Sequence, residues 1–233
     1  MRVAIHQPQF LPWLGYLDKI DRVDCFVLLD SVQFKKNEWQ NRNRIRTATG
    51  WQWVTVPVLH DFGQRIQDVR INDKVDWRAK HLKALENHYA HAAHREPVLG
   101  GLRALYGKSW DRLSELNIAV LRWLLGEFGI KTPLRLSSDM RLPEEPTERL
   151  IEICRIVGAT SYLAGAGARD YMDFGKFGKA GIAVEMQEFR HPVYRQCYEP
   201  FVPGLSAIDL ILTCGAQSLH CLRTARNNGQ GSD

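Results

Sequence analysis

The chain has 233 residues, a formal net charge of +5 and an ordinary hydrophobic share of 45%, enough for one domain with a sizeable core. No apolar run approaches the roughly 20 residues of a membrane span, and the scattered cysteines form no Cys-x-x-Cys pair, which argues against a zinc knuckle or a disulfide framework. The modest charge permits anionic small molecules as readily as nucleic acid, and the N-terminus lacks a signal-peptide core, so we expect a cytoplasmic protein without membrane insertion.

Residues 3–20 predict a short apolar strand, a constrained polar loop and a helix from about Leu14. This is the first half of a βαβ unit, in which ligands bind outside the carboxyl end of the strand and over the helix N-terminus. The loop carries two glutamines, two prolines and a tryptophan, which makes it stiffer than a simple connector. We therefore expect a ligand site here, with an ordinary aromatic loop as the alternative. The candidate ligands in this stretch are His6, Gln7, Gln9, Trp13 and Tyr16.

A continuous apolar run at residues 24–30 predicts a second buried strand, parallel to the first and ending at Asp30. The carboxyl ends of parallel strands meet at one sheet edge, so we expect Asp30 near His6. His6 has the intrinsic pKa of a general acid–base catalyst, and Asp30 would orient it or take the proton itself. Gln33 and Lys35 follow in the next segment and are candidate substrate ligands.

Residues 42–47 and 51–58 predict a β-hairpin. Arginines at every second position of its first strand share one face, and Arg42 and Arg44 would hold the phosphate or carboxylate of an anionic substrate. A solvated outer face is the alternative. The amides and aromatic residues nearby, including Asn41, favour a ligand.

Beyond an alternating stretch at residues 66–71, which predicts one more strand, the spacing of apolar residues predicts three helices over about 76–129. His88, His91 and His94 lie three apart at the end of the first helix and suggest a metal cluster at first sight. No acidic ligand completes the set, so we expect a solvated helix face and no metal site.

Three further sheet strands are predicted at residues 133–137, 161–164 and 181–186. The second of them runs into a turn that carries Gly165, Gly167 and Arg169. This turn is not the G-x-G-x-x-G dinucleotide fingerprint and identifies no cofactor. Its glycines would let a ligand approach the backbone closely, and Arg169, at a predicted helix start, would reach an anion. A tight turn without a ligand is the alternative.

The order of these elements predicts an α/β fold, a Rossmann-like parallel sheet of about five strands with an inserted β-hairpin region and a helical insertion. We place a single domain at residues 1–225, with the hairpin insertion at about 37–72 and the helical insertion at about 76–129. The polar, glycine-bearing end, residues 226–233, is expected to be a disordered tail.

Four stretches of the chain resemble the WbqC-like protein family. They are IHQPQFLPWLGYLDKI, LLDSVQFKKNEWQNRNRIR, YLAGAGARDYM and PVYRQCYEPFVPGLSAIDLILTCG, within a match from residue 3 to about 215. Many bacterial members accompany genes for O-antigen and other surface polysaccharides. The resemblance therefore implies a role in O-antigen or other polysaccharide biosynthesis, or in a related secondary pathway, and it supplies no reaction.

Residues 10–16, FLPWLGY, also resemble the first motif of cytidylyltransferase-type nucleotidylyltransferases of the HUP, or Rossmann-like, class. The core of that motif is H-x-G-H, and Trp13 and Tyr16 stand where its two histidines would be. Those histidines stabilise charge on the transferring phosphate, whereas neither indole nor phenol carries a positive charge. The resemblance implies the fold and leaves nucleotidyl transfer disfavoured.

Three functions are open from the sequence. The first is a transferase for a small anionic or activated substrate, with an acyl or aminoacyl donor and a sugar or amine acceptor. No nucleophile motif such as G-x-S-x-G is present, which favours direct transfer. The second is a non-catalytic module that binds a nucleotide or an acyl carrier protein, favoured by the missing motif histidines. The third is a nucleotidylyltransferase-like enzyme or a tRNA-binding protein, the latter supported by the basic hairpin.

Overall fold

The computed structural model describes residues 1–227. Within them the strands are β1 (Arg2–His6), β2 (Cys25–Leu28), β3 (Arg42–Thr47), β4 (Gly50–Thr55), β5 (Val58–Leu59), β6 (Arg70–Ile71), β7 (Leu134–Leu136), β8 (Ser161–Ala164) and β9 (Ala183–Met186). The helices are α1 (Leu14–Asp21), α2 (Trp77–His88), α3 (Arg95–Tyr106), α4 (Leu113–Phe128), α5 (Pro146–Val157), α6 (Phe174–Lys179), α7 (Ile208–Cys214) and α8 (Ser218–Asn227). Residues 228–233, which belong to the predicted tail, lie outside the described residues.

Five strands form a parallel sheet in the order β7-β2-β1-β8-β9, which confirms the predicted Rossmann-like arrangement. Strand β1 lies at the centre, between β2 and β8. Its alternate side chains point to opposite faces, with Val3 and Ile5 in one apolar cluster and Ala4 in the other. A strand covered on both faces must be apolar throughout, and this explains the continuous run at the start of the chain.

Helices cover both faces of this sheet. Residues of α1, α4 and α7 belong to the larger apolar cluster, whereas residues of α5 and α6 belong to the smaller one. Helix α5 has clear start and stop signals: Glu145 accepts a hydrogen bond from the amide of Glu148, Pro146 occupies the first turn, and Gly158 ends the helix at a φ of 73°. The loops that follow β1, β2, β7 and β8 therefore gather at one edge of the sheet.

The predicted hairpin is present as β3 and β4. The strand predicted at residues 66–71 is wrong for most of its length, because residues 66–68 form a 3₁₀ turn and only Arg70–Ile71 pair, with β5. The amides of Ile66 and Gln67 donate instead to backbone carbonyls in the segment after β2, so they are not available for a strand ladder. These bonds fasten the hairpin insertion to the sheet edge.

Helix α8 extends through residue 227 and so includes the first two residues of the predicted tail, and the disorder of that tail stays a prediction. The guanidinium of Arg226 pairs with Asp18 and Asp21 of α1. Both carboxylates are nearly fully buried, and buried carboxylates require such partners. Among the helices of residues 1–227, none has the length and apolar character needed to cross a membrane.

Candidate functional site

The carboxyl end of β1 opens into a cavity of about 870 Å³ between α1, the loop after β8 and the segment 187–204. We call it the lysine chamber. The lining residues used below are His6, Trp13, Lys19, Arg44, Gly165 and Gly167. The volume suits a small ligand such as a nucleotide or an acyl donor, and doubly wound sheets bind their ligands at this edge.

Lys19 is the least expected side chain in the chamber. It is only 4% exposed, and its Nζ has neither a hydrogen bond nor an ion pair with any residue of 1–227. Burial lowers the pKa of Lys19 to about 8, while the negative charge of Asp18 acts in the opposite direction. A charge that is partly desolvated and has no partner is costly, and an anion bound in the chamber would offset that cost.

Two glycines make room for Lys19 and its surroundings. Gly15 lies one helical turn before Lys19 on α1, and the indole of Trp13 lies on it so closely that a Cβ would be 2.3 Å from the ring. Trp13 in turn packs edge-on against Phe189, with 5.1 Å between the ring centroids. Across the chamber, a Cβ on Gly165 would lie 2.8 Å from the Nζ of Lys19. The absence of side chains at these positions therefore shapes the chamber.

His6 is half-buried at the end of β1. Its Nδ1 lies 3.1 Å from the carbonyl oxygen of Gln7, and its ring packs edge-on to Tyr16 with 5.0 Å between centroids. Burial first, and the charge of Lys19 second, lower the pKa of His6 to about 4, so the imidazole is neutral at pH 7. The neutral ring donates from Nδ1 to the carbonyl, which leaves Nε2 as a free acceptor.

Four other predicted site residues do not line the lysine chamber. Tyr16 is buried and donates to the carbonyl oxygen of Gln7 at 3.1 Å, and the Oε1 of Gln7 accepts from Gln40 at 2.8 Å. Asn41 is buried and donates to a backbone carbonyl at 3.1 Å. Gln9 is buried as well, and its Oε1 has no partner within residues 1–227.

Asp30 has partners of its own and does not line the lysine chamber. It is buried after the end of β2, where its Oδ1 accepts from the hydroxyl of Ser137 and the amide of Ser138, both at 2.9 Å. Its Oδ2 accepts from the hydroxyl of Ser138 at 2.8 Å. The carboxylate thus fastens the turn after β7 to the sheet edge, and the orientation of His6 by Asp30 stays a prediction.

Of the two hairpin arginines predicted as substrate ligands, the structure brings Arg44 to the chamber. Its Nη2 donates to the carbonyl oxygen of Gly204 at 3.0 Å, and its guanidinium carbon is 5.0 Å from the centroid of Trp51. Arg42 lies over Trp53 at 4.1 Å, outside the chamber lining. Arg44 therefore links the chamber to a tryptophan-rich outer surface.

The loop after β8 brings Gly165 and Gly167 to the chamber, but not Arg169. The predicted helix start at Arg169 is wrong, because Ala166–Asp170 forms a 3₁₀ turn and α6 begins only at Phe174. Arg169 is exposed on that turn.

Gln33 and Lys35 lie away from the lysine chamber. Lys35 lines a cavity of about 460 Å³ together with Gln7. Gln33 and Lys35 both line an adjoining groove of about 520 Å³. The polar residues predicted after β2 are therefore grouped in a separate space at the same sheet edge.

The predicted histidine cluster is split between elements: His88 ends α2, and His91 and His94 lie in the turn before α3. The ring of His94 packs against Gly215, and a Cβ on this glycine would lie only 2.5 Å from the ring. Residues 1–227 contain no group of three or more His, Cys, Asp or Glu side chains placed to hold a metal ion.

The sequence patterns did not identify Lys19 or the segment 187–204 as part of the site. This segment contributes Gln187, Phe189 and Gly204 to the lining of the chamber. One signal for Lys19 is present in the sequence. A charged pair, Asp18 and Lys19, follows the apolar first turn of α1, and a charge on a helix that is buried on all sides must face a partner or a cavity.

The model of the WbqC-like protein family matches residues 7–221. The chain belongs to this family. This WbqC-like protein is also similar to the uncharacterized protein Rv1507c of Mycobacterium tuberculosis (strain ATCC 25618 / H37Rv), with 38% identity over 229 residues that cover 97% of this chain and 99% of that protein. No solved structure matches the WbqC-like protein significantly. The resemblance to cytidylyltransferase-type enzymes stays a prediction.

We expect Gly165→Ala to displace Lys19 rather than to unfold this WbqC-like protein. The added Cβ would meet Nζ at 2.8 Å, and the end of a lysine side chain moves more easily than backbone. The pKa of Lys19 should then rise from about 8 as the ammonium moves into the open chamber, which NMR of labelled lysine measures. Gly167→Ala is the matched control, because nothing lies within 4 Å of its Cβ position. An equal response of both variants would contradict this packing.

Proposed function

We propose that this WbqC-like protein is a transferase that moves an acyl or aminoacyl group from a small, activated, anionic donor to a sugar or amine acceptor. The observation that carries the proposal is the buried Lys19, which has no partner within residues 1–227. The residues of this range that line the chamber include no acidic side chain. Such a site favours an anion. The pathway, surface polysaccharide or a related secondary product, rests on the family resemblance.

Two positive charges would hold the donor. Lys19 and Arg44 line the same chamber and would pair with the phosphate or carboxylate of the donor's leaving group. Negative charge grows on the leaving group as its bond breaks, so the ammonium of Lys19 would stabilise the transition state more than the bound donor. Direct transfer of this kind needs no covalent intermediate on the protein.

His6 would take the proton of the acceptor through its free Nε2. With a pKa of about 4, the imidazole is a weak base in the free protein. The charge of Lys19 is the second cause of that low pKa, so an anion bound to Lys19 would raise it. The base would thus become stronger when the donor is in place. Asp30 would keep the sheet edge around His6 in position through the turn at Ser137–Asp139.

We expect anion binding in the chamber to weaken as the pH rises through about 8. Lys19 is charged below its pKa of about 8 and neutral above it, so its attraction for an anion is present at low pH and lost at high pH. Titration with inorganic sulfate, whose own charge is constant from about pH 7 to 9.5, measures the effect. An affinity for sulfate that does not change over this range would contradict the role given to Lys19.

Mass spectrometry of reaction mixtures tests the transferase proposal. The protein is incubated with acyl-coenzyme A or aminoacyl donors and with amino sugars, and transfer is detected as the acyl mass gained by the acceptor. We expect His6→Gln to lose the product while it keeps affinity for the donor, and Asp30→Asn to lose part of it. Donor binding without product from any pair would overturn the proposal and identify a nucleotide- or carrier-binding module.

The hairpin favours a second candidate, a tRNA-binding protein. Trp51 and Trp53 are 43% and 37% exposed, and Arg42 lies over Trp53 at 4.1 Å. Exposed indoles beside guanidinium groups are typical of surfaces on which nucleic-acid bases stack. Binding of short RNA that falls steeply with salt and is lost in Trp51→Ala would support this candidate, whereas no binding at low salt would exclude it.

A further inference from the structure

We infer that His6 separates two substrate chambers and that the second chamber binds a phosphorylated acceptor. The inference rests on the transferase function proposed above. The second chamber is the cavity of about 460 Å³. Its lining includes Ile5, His6, Gln7, Lys35, Arg149 and Tyr171. Among residues 1–227, His6 alone lines both this cavity and the lysine chamber.

The two chambers have walls from opposite faces of the sheet. Trp13 and Lys19 of α1 line the lysine chamber, whereas Arg149 and Leu150 of α5 line the second chamber. Helices α1 and α5 belong to the apolar clusters on the two sides of the sheet. The carboxyl end of β1, the central strand, is therefore flanked by one cavity on each side. Two ligands bound there would meet at His6, as direct transfer requires.

The second chamber continues into an outer groove of about 520 Å³. The two spaces share Gln7, Val32, Lys35 and Arg149. The groove adds Arg65, so three cationic residues line the continuous space against a single acidic one, Glu144. This excess of positive charge suits an acceptor that carries phosphate.

Donor groups on two of these cations are free to receive that phosphate. The guanidinium of Arg149 is held by the carbonyl oxygens of Pro143 and Glu144, at 3.0 and 2.6 Å, through Nε and Nη2. Within residues 1–227 its Nη1 and the Nζ of Lys35 have no hydrogen-bond partner. The part of the chamber that the buried Ile5 and Leu150 line is more apolar and suits the body of the acceptor, such as a sugar ring or a pantetheine chain.

The transfer step balances with these two substrates alone. The amine, hydroxyl or thiol of the acceptor attacks the carbonyl carbon of the donor, which forms a C–N, C–O or C–S bond. The bond from that carbon to the oxygen or sulfur of the leaving group breaks, and its electron pair stays with the leaving group. The acceptor's proton passes to Nε2 of His6 and from there to the leaving group. The acceptor has then exchanged one hydrogen for the acyl group.

Calorimetric titration with inorganic pyrophosphate tests this inference in the Lys19→Met variant, which lacks the ammonium group of the lysine chamber. We expect the variant to bind pyrophosphate and to lose at least about tenfold in affinity when Lys35→Ala and Arg149→Ala are added. Lys35→Ala alone should lose part of it, and since Lys35 is exposed this change does not threaten folding. Lys80→Ala with Lys83→Ala, on the exposed side of α2, is the matched control and should change nothing.

The remaining outcomes separate this inference from the proposed function. Binding of pyrophosphate by the wild type but not by Lys19→Met would overturn the inference and support the anion site of the proposed transferase. Binding by Lys19→Met that is insensitive to Lys35→Ala and Arg149→Ala would also overturn it. If binding follows the expected pattern, competition by UDP-glucosamine identifies a nucleotide-linked amino sugar as the source of the phosphate, and competition by phosphopantetheine identifies a carrier arm.

Discussion

Lys19→Met should weaken donor binding and slow transfer strongly while the protein stays folded. The change removes the ammonium that would hold the leaving group, and loss of one such electrostatic group lowers kcat by about 10²- to 10³-fold. Methionine resembles lysine in length and is apolar, so it fills the buried position without the cost of an unpartnered charge. Thermal unfolding should therefore show an equal or higher midpoint, and donor titration should show loss of affinity.

A second readout of Lys19→Met does not depend on knowing the donor. The charge of Lys19 lowers the pKa of His6, so its removal should raise that pKa above about 4. NMR titration of the His6 ring measures the change. Lys80→Met on the exposed side of α2 is the control. Retained transfer together with an unchanged His6 pKa would show that Lys19 does not act in the chamber.

Arg46→Leu should lower the free energy of unfolding by on the order of 3 to 5 kcal/mol, because buried carbonyl oxygens would lose a charged donor. Arg46 is 1% exposed. Its guanidinium donates to the carbonyl oxygens of Thr47, Gly50, Tyr198 and Pro200. These bonds join the β3–β4 turn to the segment that continues into the wall of the lysine chamber, so donor affinity should fall as well.

Urea denaturation measures the stability change in Arg46→Leu. Arg70→Leu is the control, since Arg70 forms an exposed ion pair with Asp111 at 3.0 Å, and such pairs contribute about 1 kcal/mol or less. Similar losses in the two variants would contradict the structural role of Arg46.

The fold is predictable from the sequence because its main signals are local. The continuous apolar runs at β1 and β2 exist because both faces of these strands are covered, and Gly158 ends α5 because the left-handed conformation there favours glycine. The stretch at residues 66–71 was predicted wrongly for the opposite reason. Its amides bond to the segment after β2, a tertiary contact that overrides alternating polarity.

The site is predictable only in part. The rule that ligands bind at the carboxyl ends of parallel strands points to His6, and the structure groups it with Arg44 and Gly165 in one cavity. The environment of Lys19 depends on distant segments, because neighbouring Asp18 is taken by Gln187 and Arg226 and is not free to pair with it. Contacts between residues so far apart leave no local pattern.

The role of Asp30 is also not predictable from local sequence. A carboxylate at the end of a buried strand suggests a catalytic role, yet its oxygens are bound by Ser137 and Ser138, more than a hundred residues later in the chain. The loops that meet at a sheet edge decide which of its polar residues face a ligand and which bond to each other.

The binding of an anion by Lys19 is tested most directly by NMR titration of its Nζ in the full-length protein, with and without an anionic donor analogue. We predict a midpoint near pH 8 in the free protein, since burial lowers the pKa of Lys19 to about 8. The midpoint should move upward when the analogue binds, because a neighbouring negative charge stabilises the ammonium. A midpoint near the ordinary value of 10.5 that the analogue does not change would contradict the chamber as an anion site.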